Sequence, residues 1–192
     1  PAASGNKVLF PFSGGSLVAL NALNGIEEWE INLENSNIGS ASASLGDFAS
    51  DPAVYGSTVF GVGAFGETFS ATKSGKVLWR NNIQSSSRLI VSGNSAFYSS
   101  NNSLIGRLNA KNGKIVFLKE FTGKRWVKYH GPLLLQNKLL VLATDKNAYW
   151  FSPEDGRLLN KEKLGKKISS PPVVVNKRLM FVSEDGVLNI LN

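Results

Sequence analysis

The side chains able to do chemistry in this chain are few and far apart. His130 is its only histidine, set between Tyr129 and Gly131. A general base needs a positioned partner, and no Ser or Cys motif accompanies it, so it reads as a loop residue. Cysteine is absent, which excludes disulfides, thiolate nucleophiles and Cys-ligated zinc within the chain. The acid pairs Glu154-Asp155 and Glu184-Asp185 each precede a glycine. Carboxylates so placed bond local backbone and close hairpins, and their spacing is not that of a helix–loop–helix calcium site. Gly61-Val62-Gly63-Ala64-Phe65-Gly66 has the G-x-G-x-x-G spacing, but it opens no helix, so the helix N-terminus that would hold a phosphate is missing. Lys124-Arg125-Trp126-Val127-Lys128-Tyr129 is the one basic stretch with interleaved aromatics. A nucleic-acid contact would want a whole face of this kind; a strand joining two repeats is the simpler account. No catalytic residue, metal site or cofactor site is expected.

Composition agrees with a binding or structural role. Apolar residues make up 42% and charged residues 18%, as in folded chains with a buried core. The net charge of +7 is scattered, and its densest cluster, Lys161 to Lys167, contains Glu162. A dispersed charge of this size solvates a surface rather than marking an anionic partner. No run approaches the length of apolar residues that spans a bilayer.

The elements that must position these residues show themselves as a repeat. Four turns end in glycine and are followed three or four positions later by a large apolar residue. They are Gly25 with Trp29, Gly75 with Trp79, Gly113 with Phe117, and Gly156 with Leu159. A second series runs in parallel: Pro1, Pro52, Leu89, Pro132 and Pro172 each open a short apolar strand. Small polar turns follow them, Gly5-Asn6, Gly56-Ser57, Gly93-Asn94, Gln136-Asn137 and Asn176-Lys177. Apolar and polar residues alternate with period two between the turns, and no helical period occurs. The fourth copy is the clearest, with strands expected over Pro132–Leu135, Lys138–Thr144, Ala148–Ser152 and Arg157–Lys163. Four antiparallel strands recurring at roughly 40 residues are the signature of a propeller blade. The fold class is therefore all-β, a β-propeller of four-stranded antiparallel blades. The blades are expected at about 1–50, 51–87, 88–130 and 131–170, with three strands of a closing blade over 171–192.

The motif Ala-Leu-Asn-x-x-x-Gly-x-x-x-Trp resembles the blade motif of proteins related to pyrroloquinoline-quinone dehydrogenases. In those blades the aromatic packs between neighbouring blades, which the resemblance assigns here to Trp29, Trp79 and Phe117, with Leu159 departing from the pattern. More narrowly, the order of features is similar to the C-terminal half of the BamB family, lipoproteins of the outer-membrane β-barrel assembly machine. The resemblance rests on the Asn- and Ser-rich insertion Asn35–Ser50 before Asp51-Pro52-Ala53-Val54, and on Val91-Ser92-Gly93-Asn94. It rests also on Asn147 to Arg157 and on Pro172 to Val175 running through Glu184 to Leu191.

That resemblance implies about half of an eight-bladed ring, with the N-terminal half missing from this chain and the last blade awaiting a strand. It implies a non-enzymatic scaffold on the periplasmic face of the outer membrane, with a lipid anchor upstream, that assists β-barrel insertion by binding the periplasmic domain of the barrel subunit BamA. The family's contact loop corresponds to the stretch ending Leu45-Gly46-Asp47-Phe48-Ala49-Ser50-Asp51. Leu45, Asp47, Phe48 and Asp51 are the candidate partner-binding residues. Asp47 matches one family acid, Ala49 stands where a second would be, and Asp51 substitutes two residues on. Two alternatives remain open: a fragment of a quinone-dependent dehydrogenase propeller, or a generic periplasmic protein-binding propeller. The characterised dehydrogenases carry an ion held by carboxylates and amides, an Asp base and an adjacent Cys pair, and this chain has no Cys.

Overall fold

The computed structural model describes residues 1–33, 47–63, 67–83, 85, 87–100, 102–121, 127–176 and 178–191. Every regular element among them is a β-strand. The first sheet contains β1 (Ala2–Ser4), β2 (Lys7–Pro11), β3 (Ser16–Asn21) and β4 (Glu27–Asn32). The second contains β5 (Ala53–Tyr55), β6 (Thr58–Val62), β7 (Thr68–Thr72) and β8 (Val77–Asn81), and the third β9 (Ile90–Ser92), β10 (Ser95–Ser99), β11 (Leu104–Asn109) and β12 (Ile115–Glu120). The fourth contains β13 (Tyr129–Leu135), β14 (Lys138–Ala143), β15 (Asn147–Phe151) and β16 (Leu158–Lys163). The fifth is three-stranded, with β17 (Val173–Val175), β18 (Arg178–Val182) and β19 (Leu188–Leu191). Within each sheet the strands lie in chain order, each hydrogen-bonded to the next. This is the antiparallel meander of a propeller blade, as the repeat predicts.

Local chemistry sets the registers. The first hairpin of the fourth sheet closes between Leu135 and Lys138. Its two loop residues, Gln136 and Asn137, both take positive φ, at 46° and 57°. Two-residue hairpins need that handedness to match strand twist. Pairing then fixes which side chains share a face. Leu9 stands opposite Ala2 and Ala19, and Leu140 opposite Leu133 and Trp150.

The chain divides into two compact units, Pro1–Phe97 with Leu108–Val116, and Tyr98–Arg107 with Phe117–Asn192. In the first unit the core joins Leu9, Leu17, Ala19 and Ile31 of the first sheet to Val59, Phe69 and Ala71 of the second. In the second unit Leu140, Leu142 and Ala148 of the fourth sheet pack with Leu179 and Phe181 of the fifth and with Ile168.

Two expectations need correction. Pro132 does not open its strand: β13 begins at Tyr129, and the register shifts between His130 and Leu133. Proline cannot donate to a ladder, but at a bulge on an edge strand no donor is required there, so pairing continues past it. His130 consequently lies in a strand opposite Leu142, not in a loop.

Candidate functional site

The candidate partner loop is built by residues that leave the core and return to it. Leu45 lies outside the described residues, as does the insertion from Asn35 to Gly46. From Asp47 onward the chain is anchored. Phe48 forms an isolated antiparallel bridge with Gly63, and the Ala49 N–H donates to the Val62 carbonyl at 2.9 Å. The Phe48 ring stands edge-on to Phe69, centroids 6.3 Å apart, against the first unit's core. This contact explains one glycine of the G-x-G-x-x-G stretch. A Cβ at Gly61 would sit 2.4 Å from the Phe69 ring and 3.0 Å from that of Phe48. Gly61 therefore makes room for aromatic packing; positions 64–66 lie outside the described residues.

The two acids of the loop differ. Asp47 is half-buried, and its Oδ1 accepts the Gly14 N–H at 3.0 Å, tying the loop to the turn between β2 and β3. Asp51 is exposed, and its carboxylate lies 2.6 Å from the Pro1 nitrogen. The structure thus brings together a structural carboxylate, an inward phenyl ring and an outward carboxylate within five residues.

Trp29, Trp79 and Phe117 occupy equivalent places. Trp29 follows the Gly25 turn of the first sheet and reaches the Gly75 turn of the second, where its indole N–H donates to the Lys73 carbonyl at 2.9 Å. Trp79 does the same over the Gly113 turn, donating to the Ala110 carbonyl at 2.9 Å. Phe117 covers the Gly156 turn without a polar bond. A Cβ added at Gly75, Gly113 or Gly156 would come within 2.6, 2.6 and 2.5 Å of these rings. All three glycines have positive φ, so the same residue type satisfies the turn and admits the ring. Leu159 is 42% exposed, and the space around Gly186 is open.

The remaining polar groups have local work. His130 is half-buried, and burial, then Lys128, lowers its pKa, favouring the neutral imidazole. Asp155 sits in a turn where the Ser152 hydroxyl and the Arg157 N–H hold its carboxyl below the usual range. Asp185 is pulled down to about 2 by Lys166, then by the Ser183 hydroxyl. The basic stretch before the fourth sheet falls partly on positions 124–126, outside the described residues. Sequence reading missed an aromatic cluster in the second unit: Phe121 packs against Tyr129, Tyr149 and Phe151 with centroids 5.0, 5.3 and 4.9 Å away. It missed also the Tyr149 hydroxyl donated to Asp145 at 2.7 Å. The only signal for either was aromatic density. Among the described residues no three His, Cys, Asp or Glu side chains are grouped to hold a metal ion.

Residues 1–119 match the family model described as outer membrane protein assembly factor BamB. Relatives carrying that description include one from Legionella pneumophila (strain Paris), 25% identical over 188 residues, which cover 96% of this chain and 48% of the relative. One from Escherichia coli (strain K12) is 24% identical over 146 residues, covering 75% of this chain and 37% of the relative. The crystal structure of BamB from Moraxella catarrhalis superposes on 98% of this chain and 56% of its own, with TM-score 0.86 and 17% identity. The computationally designed Ika8 protein matches with TM-score 0.75 at 13% identity, covering 99% of this chain and 56% of that one. The chain spans about half the length of the curated relatives it matches over nearly its whole length.

Proposed function

The chain belongs to the family of the outer membrane protein assembly factor BamB, and from that premise we propose that it is a non-enzymatic scaffold in the assembly of outer-membrane β-barrel proteins. The observation that carries this reading is the family match over residues 1–119, more than half of the chain. The chemistry of the chain fits it: the ionisable pairs close turns, and the rigid meanders present loops at their ends, where docking residues are free to vary. The periplasmic face of the outer membrane is where such a scaffold works.

The finer proposal is that the loop Asp47–Asp51 contacts the periplasmic domain of a BamA-like barrel subunit. Asp51 supplies the exposed charge, and Asp47 and Phe48 hold the loop in place. Phe48 packs against the core, so replacing it tests folding as much as binding. The test uses Asp47→Asn and Asp51→Asn, which keep side-chain size. Asp51→Asn is expected to weaken affinity for the isolated periplasmic domain several-fold, in line with about 1 kcal/mol for an exposed ion pair. Asp47→Asn keeps an oxygen for the Gly14 N–H and is expected to do less. Calorimetric titration giving unchanged affinity for both variants, with unaltered circular dichroism, sinks the assignment of this loop.

A further inference from the structure

The connection from the first sheet to the second, residues 33–52, is more than twice as long as that from the fourth to the fifth, residues 164–172. Both enter the next sheet in the same way. Phe48 bridges Gly63 as Ile168 bridges Ser183. The Ala49 N–H donates to the Val62 carbonyl as the Ser169 N–H donates to that of Val182, both at 2.9 Å. A longer connection costs more entropy to close, so its ends gain from further ties. The first connection has them. At its entry the Leu33 N–H donates to the Gly15 carbonyl at 2.8 Å. At its exit Asp47 accepts the N–H of the adjacent Gly14 at 3.0 Å.

Arg80 of β8 reaches both ends. Its Nη2 donates to the carbonyl of Asn32, the last residue of β4, at 3.1 Å. Its Nη1 pairs with Glu67, whose own carbonyl accepts the Gly63 N–H at 2.6 Å. Its guanidinium lies 5.7 Å from the centre of the Phe69 ring, which Phe48 meets edge-on. The side chains of Arg80 and Glu67 are 25% and 12% exposed, so solvent and salt screen this pair less than a surface one. Lys161 holds the same register position in the fourth sheet. It stands opposite Tyr149 one step before the register shift, as Arg80 stands opposite Phe69. Its ammonium lies 5.3 Å from the Tyr149 ring centre. The connection before that sheet, residues 121–128, is short. A lysine therefore suffices as the cation over a ring. The planar fork of arginine is what bonds a carboxylate and a carbonyl at once in fixed directions.

We propose that Arg80 is the positioning residue of the docking loop: its guanidinium holds the entry at Asn32 and, through Phe69 and Glu67, the exit at Phe48 in a fixed relation. This rests on the reading of Asp47–Asp51 as the contact loop, and adds to it a residue outside the loop that sets its affinity. A loop ordered before the partner arrives loses less freedom on binding, so more of the contact energy appears as affinity.

Arg80→Lys tests this. It keeps a cation over Phe69 and beside Glu67, as Lys161 does over its own ring, and gives up the bond to the Asn32 carbonyl. Amide hydrogen exchange at Leu33 and Ala49 is expected to quicken about tenfold, the effect of losing one charge-assisted hydrogen bond, while the amides of β6 and β7 keep their rates. Affinity for the isolated periplasmic domain of a BamA-like subunit is expected to fall about threefold to tenfold with the denaturation midpoint unchanged. Unaltered exchange at Leu33 and Ala49 overturns the proposal, as does exchange that quickens equally in the strands, which is the mark of a residue that only stabilises the fold. Asp51→Asn, titrated alongside, separates the two ways to fail. If Asp51→Asn weakens binding and Arg80→Lys does not, the positioning role falls and the loop assignment stands. If neither Asp51→Asn nor Asp47→Asn weakens it, the loop assignment fails and the proposal with it.

Discussion

Trp79 and Leu159 hold the same place in the repeat, four and three residues after a glycine turn, yet their surroundings differ. Trp79 is 8% exposed, lies across Gly113 and bonds the Ala110 carbonyl. Leu159 is 42% exposed, and nothing crowds Gly186. The fifth sheet's turn is held in other ways. Lys166 pairs with Asp185 and Lys167 with Glu184, both at 2.6 Å, while the apolar contact between sheets falls to Leu140, Leu142, Leu179 and Phe181. A buried ring with a satisfied N–H contributes far more than two exposed ion pairs, which salt screens. Where Leu159 replaces the aromatic, a lysine-rich turn and a leucine-rich face join the fourth and fifth sheets instead.

The largest effect is expected from truncating the aromatic. Trp79→Ala should lower unfolding free energy by about 3–5 kcal/mol, against under about 0.5 kcal/mol for Leu159→Ala. Trp79→Phe keeps much of the ring and loses the indole N–H, at about 1 kcal/mol. Urea titrations measure all three, and a Leu159→Ala cost equal to that of Trp79→Ala breaks the comparison. Next come the glycines. Gly113 and Gly186 have φ of 71° and 76°, so alanine costs about 1–2 kcal/mol at either site for the left-handed backbone. At Gly113 the new Cβ would also meet the Trp79 ring at 2.6 Å, adding about 1–3 kcal/mol of overpacking. Equal costs at the two sites would show that the ring yields freely.

The smallest effect concerns pH. Asp185 titrates at about 2 in the folded chain against 3.8 unperturbed. A depressed carboxyl pKa stabilises fully above the unfolded value and loses that contribution as pH falls through the folded one. The denaturation midpoints of the parent chain and of Asp185→Asn should therefore converge between pH about 4 and about 2. Midpoints that stay parallel across that range would mean the Lys166 contact contributes nothing to the fifth sheet.

Much of this was legible in the residues, for reasons that are local. Hairpin turns need φ > 0, so Gly5, Gly56, Gly93 and the Gln136-Asn137 pair mark them directly. Period-two alternation marks strands and their faces. Other features were not legible because they depend on what another strand does. Pro132 marked a strand start by analogy with Pro52 and Pro172, but the bulge between His130 and Leu133 carries β13 back to Tyr129. Phe48 is a candidate partner-binding residue by resemblance; the nearness of Phe69 and the missing Cβ of Gly61 are what let its ring turn inward.

The sequence by itself determined the repeat, the four-stranded unit, the absence of thiol chemistry and the glycine-plus-aromatic spacing, since each follows from backbone sterics or residue type along one stretch of chain. The tertiary structure decided which side chains meet: Trp29 with Lys73, Asp47 with Gly14, Lys166 with Asp185. It decided also that Leu188 and Ile190 lie open while their counterparts Leu17 and Ala19 are sealed. The alternation of apolar residues is the same in both sheets. Burial is a property of the neighbour, and one strand's pattern does not say whether a neighbour is there.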